Sequence, residues 1–133
     1  MDTILRLLTP KKATYFILEN STIRQALEKF DAHKFSVVPL LNDKGEYVGT
    51  LSEGDILRYI KNEALFDITK AENIKVKDIT HYRPYKCLKI DATIDEIFTL
   101  ILDQNFVPLI DDNDHYIGII KRKDVLIHFG EKK

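Results

Sequence analysis

Gly49-Thr50-Leu51-Ser52-Glu53-Gly54-Asp55 returns in weakened form about 69 residues later as Gly118-Ile119-Ile120-Lys121-Arg122-Lys123-Asp124. In each copy an apolar strand runs into a short polar turn, and an Asp stands where the next helix should begin. A hydroxyl and a carboxylate three residues apart at a helix N-terminus can form a capping box, each side chain satisfying the other residue's backbone N–H. The same groups can instead hydrogen-bond a polyhydroxyl ligand such as a ribose. The first copy keeps both groups, Ser52 and Asp55, whereas the second keeps only the acid, Asp124.

The repetition extends outward from this stretch in both directions. Thr22-Ile23, Ala26-Leu27 and Phe30 match Thr93-Ile94, Ile97-Phe98 and Ile101, and after a net loss of two residues Val38-Pro39-Leu40 matches Val107-Pro108-Leu109. Tyr47-Val48-Gly49 matches Tyr116-Ile117-Gly118, and Asp55-Ile56-Leu57 matches Asp124-Val125-Leu126. Each half therefore reads β-α-β-β-α. Short β-prone runs, Tyr15 to Leu18 and Cys87 to Ile90, open the halves. Thr22-x-x-Gln25 and Thr93-x-x-Glu96 fit capping boxes ahead of helices with apolar residues at i, i+3 and i+4. Strand pairs over 36–41 with 46–51, and 106–110 with 115–120, flank turn-forming loops, and helices at about 53–62 and 122–129 close the halves.

Three short strands and two helices leave one sheet face uncovered. The expected fold is thus α/β (α+β): two pseudo-symmetric repeats packed sheet to sheet with helices outside. The whole chain reads as one tandem unit, with repeat one at about 9–61, a polar surface linker at about 62–76 and repeat two at about 77–129.

With 133 residues, 44% hydrophobic and 31% charged, the chain has the composition of an ordinary soluble domain. Twenty basic against 21 acidic residues give no net field to attract nucleic acid. One cysteine, Cys87, cannot form an internal disulfide or a multi-cysteine metal site, so a cytoplasmic setting is expected. The apolar start around Ile4 to Leu8 is too short and too charged for a signal segment or a membrane span. His33, His81, His115 and His128 lack the spacing of a metal site, and Cys87, in a predicted strand, reads as a structural thiol.

The order strand, Pro, strand, turn, Gly, strand, helix in both halves, with Gly49, Ser52 and Asp55 as a Gly-h-h-Ser/Thr-x-x-Asp signature, resembles a pair of CBS domains. Such a tandem unit is often called a Bateman module, and the resemblance spans about Thr9 to Phe129, as in a stand-alone CBS pair. It implies a non-enzymatic regulatory protein that binds an adenosine-containing ligand, commonly AMP, ADP or ATP, in clefts between the halves. Cyclic di-AMP and S-adenosylmethionine are the alternative ligands. A homodimer, an unidentified regulated protein and no required cofactor are further expectations.

Carried onto this chain, the resemblance implies a better site of Thr50, Ser52, Asp55, Pro84, Lys86, Asn105, Phe106 and Pro108. A weaker site would use Ala13, Tyr15, Ser36, Val37, Pro39, Ile119, Lys121 and Asp124. Lys121 stands where the hydroxyl belongs, and would either pair with Asp124 and block the cleft or reach a more highly charged phosphate. The two-residue deletion before Asn105 alters the wall that would enclose the base of the better site.

Two other classes of function remain. One is an interaction module whose clefts have lost their ligands. The other is a hydrolase using Glu53 and Asp55, which the divergence of residues two apart on a helix disfavours.

Overall fold

The computed structural model describes residues 3–33, 36–63, 72–79 and 85–130. They form two compact units, each with its own sheet and core. Residues 16–84 make one; residues 1–15 with 85–133 make the other.

In the 16–84 unit, β2 (Ile17–Leu18) runs parallel to β3 (Val37–Leu41), which pairs antiparallel with β4 (Tyr47–Ser52). A parallel pair requires a crossover, and α2 (Ile23–His33) supplies it. The Thr22 capping box forms as expected: Gln25 N–H donates to Thr22 Oγ1 at 3.1 Å, and Thr22 N–H donates to Gln25 Oε1 at 2.9 Å. From α2 the residues Ile23, Ala26 and Phe30 pack with Val38, Leu40 and Leu51 of the sheet and Ile56 of α3 (Glu53–Asn62). Val76 and Ile79, on and just after a 3-10 turn at Val76–Asp78, complete this core. Val76 is fully buried, not the end of a surface linker. Residues 64–71, the middle of that stretch, lie outside the described residues.

The second unit repeats the plan with one addition. β5 (Leu88–Lys89) runs parallel to β6 (Phe106–Ile110), which pairs antiparallel with β7 (Tyr116–Lys121); α4 (Ile94–Ile101) connects the first two, and α5 (Arg122–Gly130) follows the last. The sequence reading assigns no strand before Tyr15. The structure places β1 (Leu8–Pro10) antiparallel to β7, making a four-stranded sheet in the order β1-β7-β6-β5. Gly118 permits this approach: a Cβ there would lie 2.2 Å from the Thr9 carbonyl oxygen, and its φ of +152° is itself unfavourable for other residues. The short helix α1 (Thr3–Leu7) contributes Ile4 and Leu7 to a core with Ile97, Ile101, Val107, Leu109, Ile120 and Val125. Full burial of each such side chain stabilises the fold by roughly 1.5–3 kcal/mol.

The two hairpins share one turn chemistry. Asn42 Oδ1 accepts from Lys44 N–H (2.9 Å) and Glu46 N–H (3.0 Å), and Asp111 Oδ1 accepts from Asn113 N–H (2.8 Å) and His115 N–H (2.9 Å). The His115 bond is the main reason that the Asp111 carboxyl is held below its usual range. Gly45 takes a φ of 80°, and Asp114, its counterpart, takes 65°, one of the few left-handed positions an acidic residue tolerates. Among the described residues no helix is long and apolar enough to cross a membrane.

The buried phenol of Tyr116 lies 2.9 Å from Thr14 Oγ1, tying the N-terminal segment to β7. Burial pushes its pKa from 10.0 up to about 12, partly offset by the Thr14 bond. Because the folded value is the higher one, this contribution to stability is complete below about pH 10 and is lost as pH rises toward 12. An absorbance titration of the tyrosinates, with Tyr116→Phe as reference, is expected to show one phenol ionising about two units late or only on unfolding. Loss of nothing but ordinary phenols near pH 10 in that difference would contradict the burial.

Candidate functional site

Strand β4 delivers Thr50 and Ser52 to the start of α3, where Glu53 and Asp55 occupy the first turn. Ser52 has extended dihedrals (φ −118°, ψ 161°), as an N-cap requires. Asp55 N–H donates to Ser52 Oγ at 3.0 Å and Ser52 N–H donates to Asp55 Oδ2 at 2.9 Å, so the capping box is complete. One turn further along, Arg58 Nη2 donates to Asp55 Oδ1 at 2.8 Å. The carboxylate is thus a buried anion, with the residue 8% exposed, that is neutralised and hydrogen-bonded on both oxygens.

This arrangement satisfies the cap without exhausting its chemistry. An ionised carboxylate offers about four lone-pair positions, so two bonds leave acceptor capacity for hydroxyl donors. Ser52 Oγ accepts the Asp55 N–H, and its own proton can be given to an oxygen of a ligand. A cavity of about 470 Å³ adjoins the carboxylate, lined among the described residues by Asp55, Arg58, Tyr59, Asn62, Glu63, Asp78 and Ile79. Thr50 is buried beside Ser52 on the same strand.

Three of the other residues expected at this site, Lys86, Asn105 and Phe106, lie in the second unit. They are brought together around Gln104, a buried residue that the sequence reading passed over. Gln104 Oε1 accepts from Lys86 N–H at 2.8 Å, and its Nε2 donates to the Lys86 and Phe106 carbonyls at 3.1 Å each. Its amide thereby pins the backbone ahead of β5 to the start of β6, as a rung of sheet would. Tyr85 adds to the cluster: its hydroxyl accepts from Asn105 N–H at 3.3 Å and its ring meets Phe106 edge-on at 4.8 Å. A polar residue next to the two-residue deletion is the only sequence sign of this clamp. Pro108 is buried in β6, and Pro84 lies outside the described residues.

The second copy is built differently. Lys121 ends β7 and is exposed, and no ion pair joins it to Asp124 among the described residues. Arg122 is taken up structurally, its Nε donating to the Ile101 carbonyl at 2.7 Å at the end of α4. Asp124 sits in the first turn of α5, where it complements the helix dipole. Ile119 pairs with Thr9 and is buried. Ala13 and Tyr15 are exposed at the end of the N-terminal segment, while Ser36 (exposed), Val37 (half-buried) and Pro39 (buried) belong to the other unit at β3.

Burial raises the Cys87 thiol above its ordinary pKa, which opposes a thiolate nucleophile. Among the described residues no group of three His, Cys, Asp or Glu side chains is placed to hold a metal ion. His81 lies outside them.

The sequence pattern of the CBS domain matches twice, over residues 9–62 and 76–131. This chain belongs to the CBS-domain family. A curated relative, an uncharacterized protein of Methanocaldococcus jannaschii, is 26% identical over 86% of this chain and 85% of its own length. Among solved structures, Listeria monocytogenes CbpB in complex with c-di-AMP superposes with a TM-score of 0.85 at 21% identity, covering 97% of this chain and 96% of that one. CBSX2 in complex with AMP superposes with a TM-score of 0.75 at 24% identity, covering 98% of each. At these identities the likeness shows a shared CBS-pair fold.

Gln104 gives the second unit a direct stability test. Gln104→Leu removes three hydrogen bonds and leaves the Lys86 N–H and two carbonyls unpaired, and is expected to cost about 2 kcal/mol in urea unfolding. A loss under about 0.5 kcal/mol would mean that the clamp does not hold the segment ahead of β5 to β6.

Proposed function

We propose that this CBS pair is a non-enzymatic regulatory module that binds an adenosine-containing nucleotide of the AMP, ADP or ATP type and transmits its occupancy to a partner protein. The observation that carries this reading is the capped, buried Asp55 beside Ser52, in a fold whose solved relatives include complexes with AMP and c-di-AMP. Asp55 would accept from the ribose hydroxyls and Ser52 would donate to a phosphate oxygen. The α3 N-terminus would add backbone N–H groups for the anion.

Thr50, Pro84, Lys86, Asn105, Phe106 and Pro108 complete the proposed contact set, with Lys86 as countercharge and Phe106 as the apolar partner of the base. The site on Ile119, Lys121 and Asp124, with Ala13, Tyr15, Ser36, Val37 and Pro39, is proposed as the weaker one, because a lysine replaces the hydroxyl that would meet the ligand.

Signalling requires only that the ligand bind two packing states of the module unequally. Exposed Leu57 on α3 and Leu126 on α5, at matching positions of the repeat, support a homodimer through the helices. One observation favours a ligand-free interaction module instead: both Asp55 oxygens already have protein partners.

Isothermal titration against AMP, ATP, c-di-AMP and S-adenosylmethionine separates these readings. Saturable binding of an adenosine ligand is expected, weakened at least about tenfold in Asp55→Asn, which loses the charge but keeps an oxygen for the Ser52 N–H. Absence of binding to all four, or a variant that binds as the wild type does, would contradict the proposal.

A further inference from the structure

The Asp55–Arg58 ion pair has a chemical consequence for which ligands the site accepts. Asp55 is buried and Arg58, whose side chain is 44% exposed, is the cation that neutralises it at 2.8 Å. Both residues line the same cavity of about 470 Å³ along one face of α3, together with Tyr59, Asn62 and the acids Glu63 and Asp78, so that Arg58 is the one cation among the described lining residues. That volume falls in the range of small-molecule sites, roughly 300–1,000 Å³.

Asp55 keeps lone pairs for hydroxyl donors, but a ligand diol that spans both oxygens of the buried carboxylate shares Oδ1 with the guanidinium and loosens the pair. If the ligand carries no anion, loosening that pair leaves the buried Asp55 charge less well neutralised, which is unfavourable. If the ligand carries a phosphate as well as a diol, each half of the pair acquires a new partner. The carboxylate takes the hydroxyls, and the guanidinium takes the phosphate, a geometry it matches with two parallel N–H donors.

We propose that Arg58 is a specificity-determining residue of the Asp55 site: it holds Asp55 in the unliganded protein and is exchanged onto the phosphate of the ligand. The site thereby selects a phosphorylated nucleoside over the bare nucleoside. This rests on the reading of the Ser52 and Asp55 site as a nucleotide site and adds the residue that reads the charge. Arg58 has no counterpart in the second copy, where Ile127 stands at the matching position of α5.

The test is calorimetric titration of wild type, Arg58→Ala, Arg58→Gln and Arg58→Lys with AMP and with adenosine at fixed ionic strength, with folding monitored by circular dichroism. Wild type is expected to prefer AMP by at least about tenfold, the Ala and Gln variants by less than about threefold, and the Lys variant by an intermediate ratio. A folded Ala or Gln variant that keeps the wild-type ratio overturns the assignment, and so does a wild type that binds both ligands equally while Asp55→Asn weakens both. Wild type binding neither ligand overturns this inference, and the nucleotide reading falls with it only if ATP, c-di-AMP and S-adenosylmethionine also fail to bind.

Discussion

Neither repeat closes its own core. The three strands and two helices of each repeat leave apolar surface that a segment from outside the repeat covers. Val76 and Ile79 do this for the unit of β2, β3 and β4, and Ile4 and Leu7 do it for the unit of β5, β6 and β7. In the second unit the incoming segment also adds a strand against Gly118 and anchors it through Thr14 and Tyr116. The burial of these few side chains, each of the order of 2 kcal/mol, therefore completes each unit with a segment from outside its repeat. Each unit contains pieces from both sides of the chain midpoint.

That constraint explains what could be read in advance. The hairpins, the crossover helices and all three threonine- or serine-led capping boxes follow from local signals: alternation, i, i+3, i+4 spacing, and an S/T-x-x-E/Q/D pattern. The repeat itself made β3, β4 and α3 predictable from β6, β7 and α5, and the reverse. The segment of α1 and β1 was not legible because its structure comes from its docking partner. A strand of three residues paired to β7 has no periodicity of its own, and Ile4 and Leu7 acquire their meaning only from the core they enter.

The site shows the same division. Ser52 and Asp55 were legible because a cap is a local object, and the structure gives the cap its full reciprocal form. Arg58 and Gln104 were not. Arg58 looks like any solvent-facing helix cation until the burial of Asp55 is known, and Gln104 acts through backbone atoms of a segment 18 residues away. The asymmetry between the copies sharpened in the structure: Lys121 is exposed, Arg122 is spent on the end of α4, and Asp124 is left as a first-turn acid. The first copy carries a capped, cation-paired carboxylate beside a cavity.

The central claim is that a nucleotide meets this chain at the Ser52 and Asp55 cap in preference to its degenerate copy. An amide-resolved NMR titration with AMP tests it most directly. The account predicts saturable shifts concentrated at Ser52 to Arg58 and at Lys86, Asn105 and Phe106, with small changes at Lys121 to Asp124. Saturable shifts centred on Lys121 to Asp124, with the Ser52 to Asp55 amides unmoved, would contradict it.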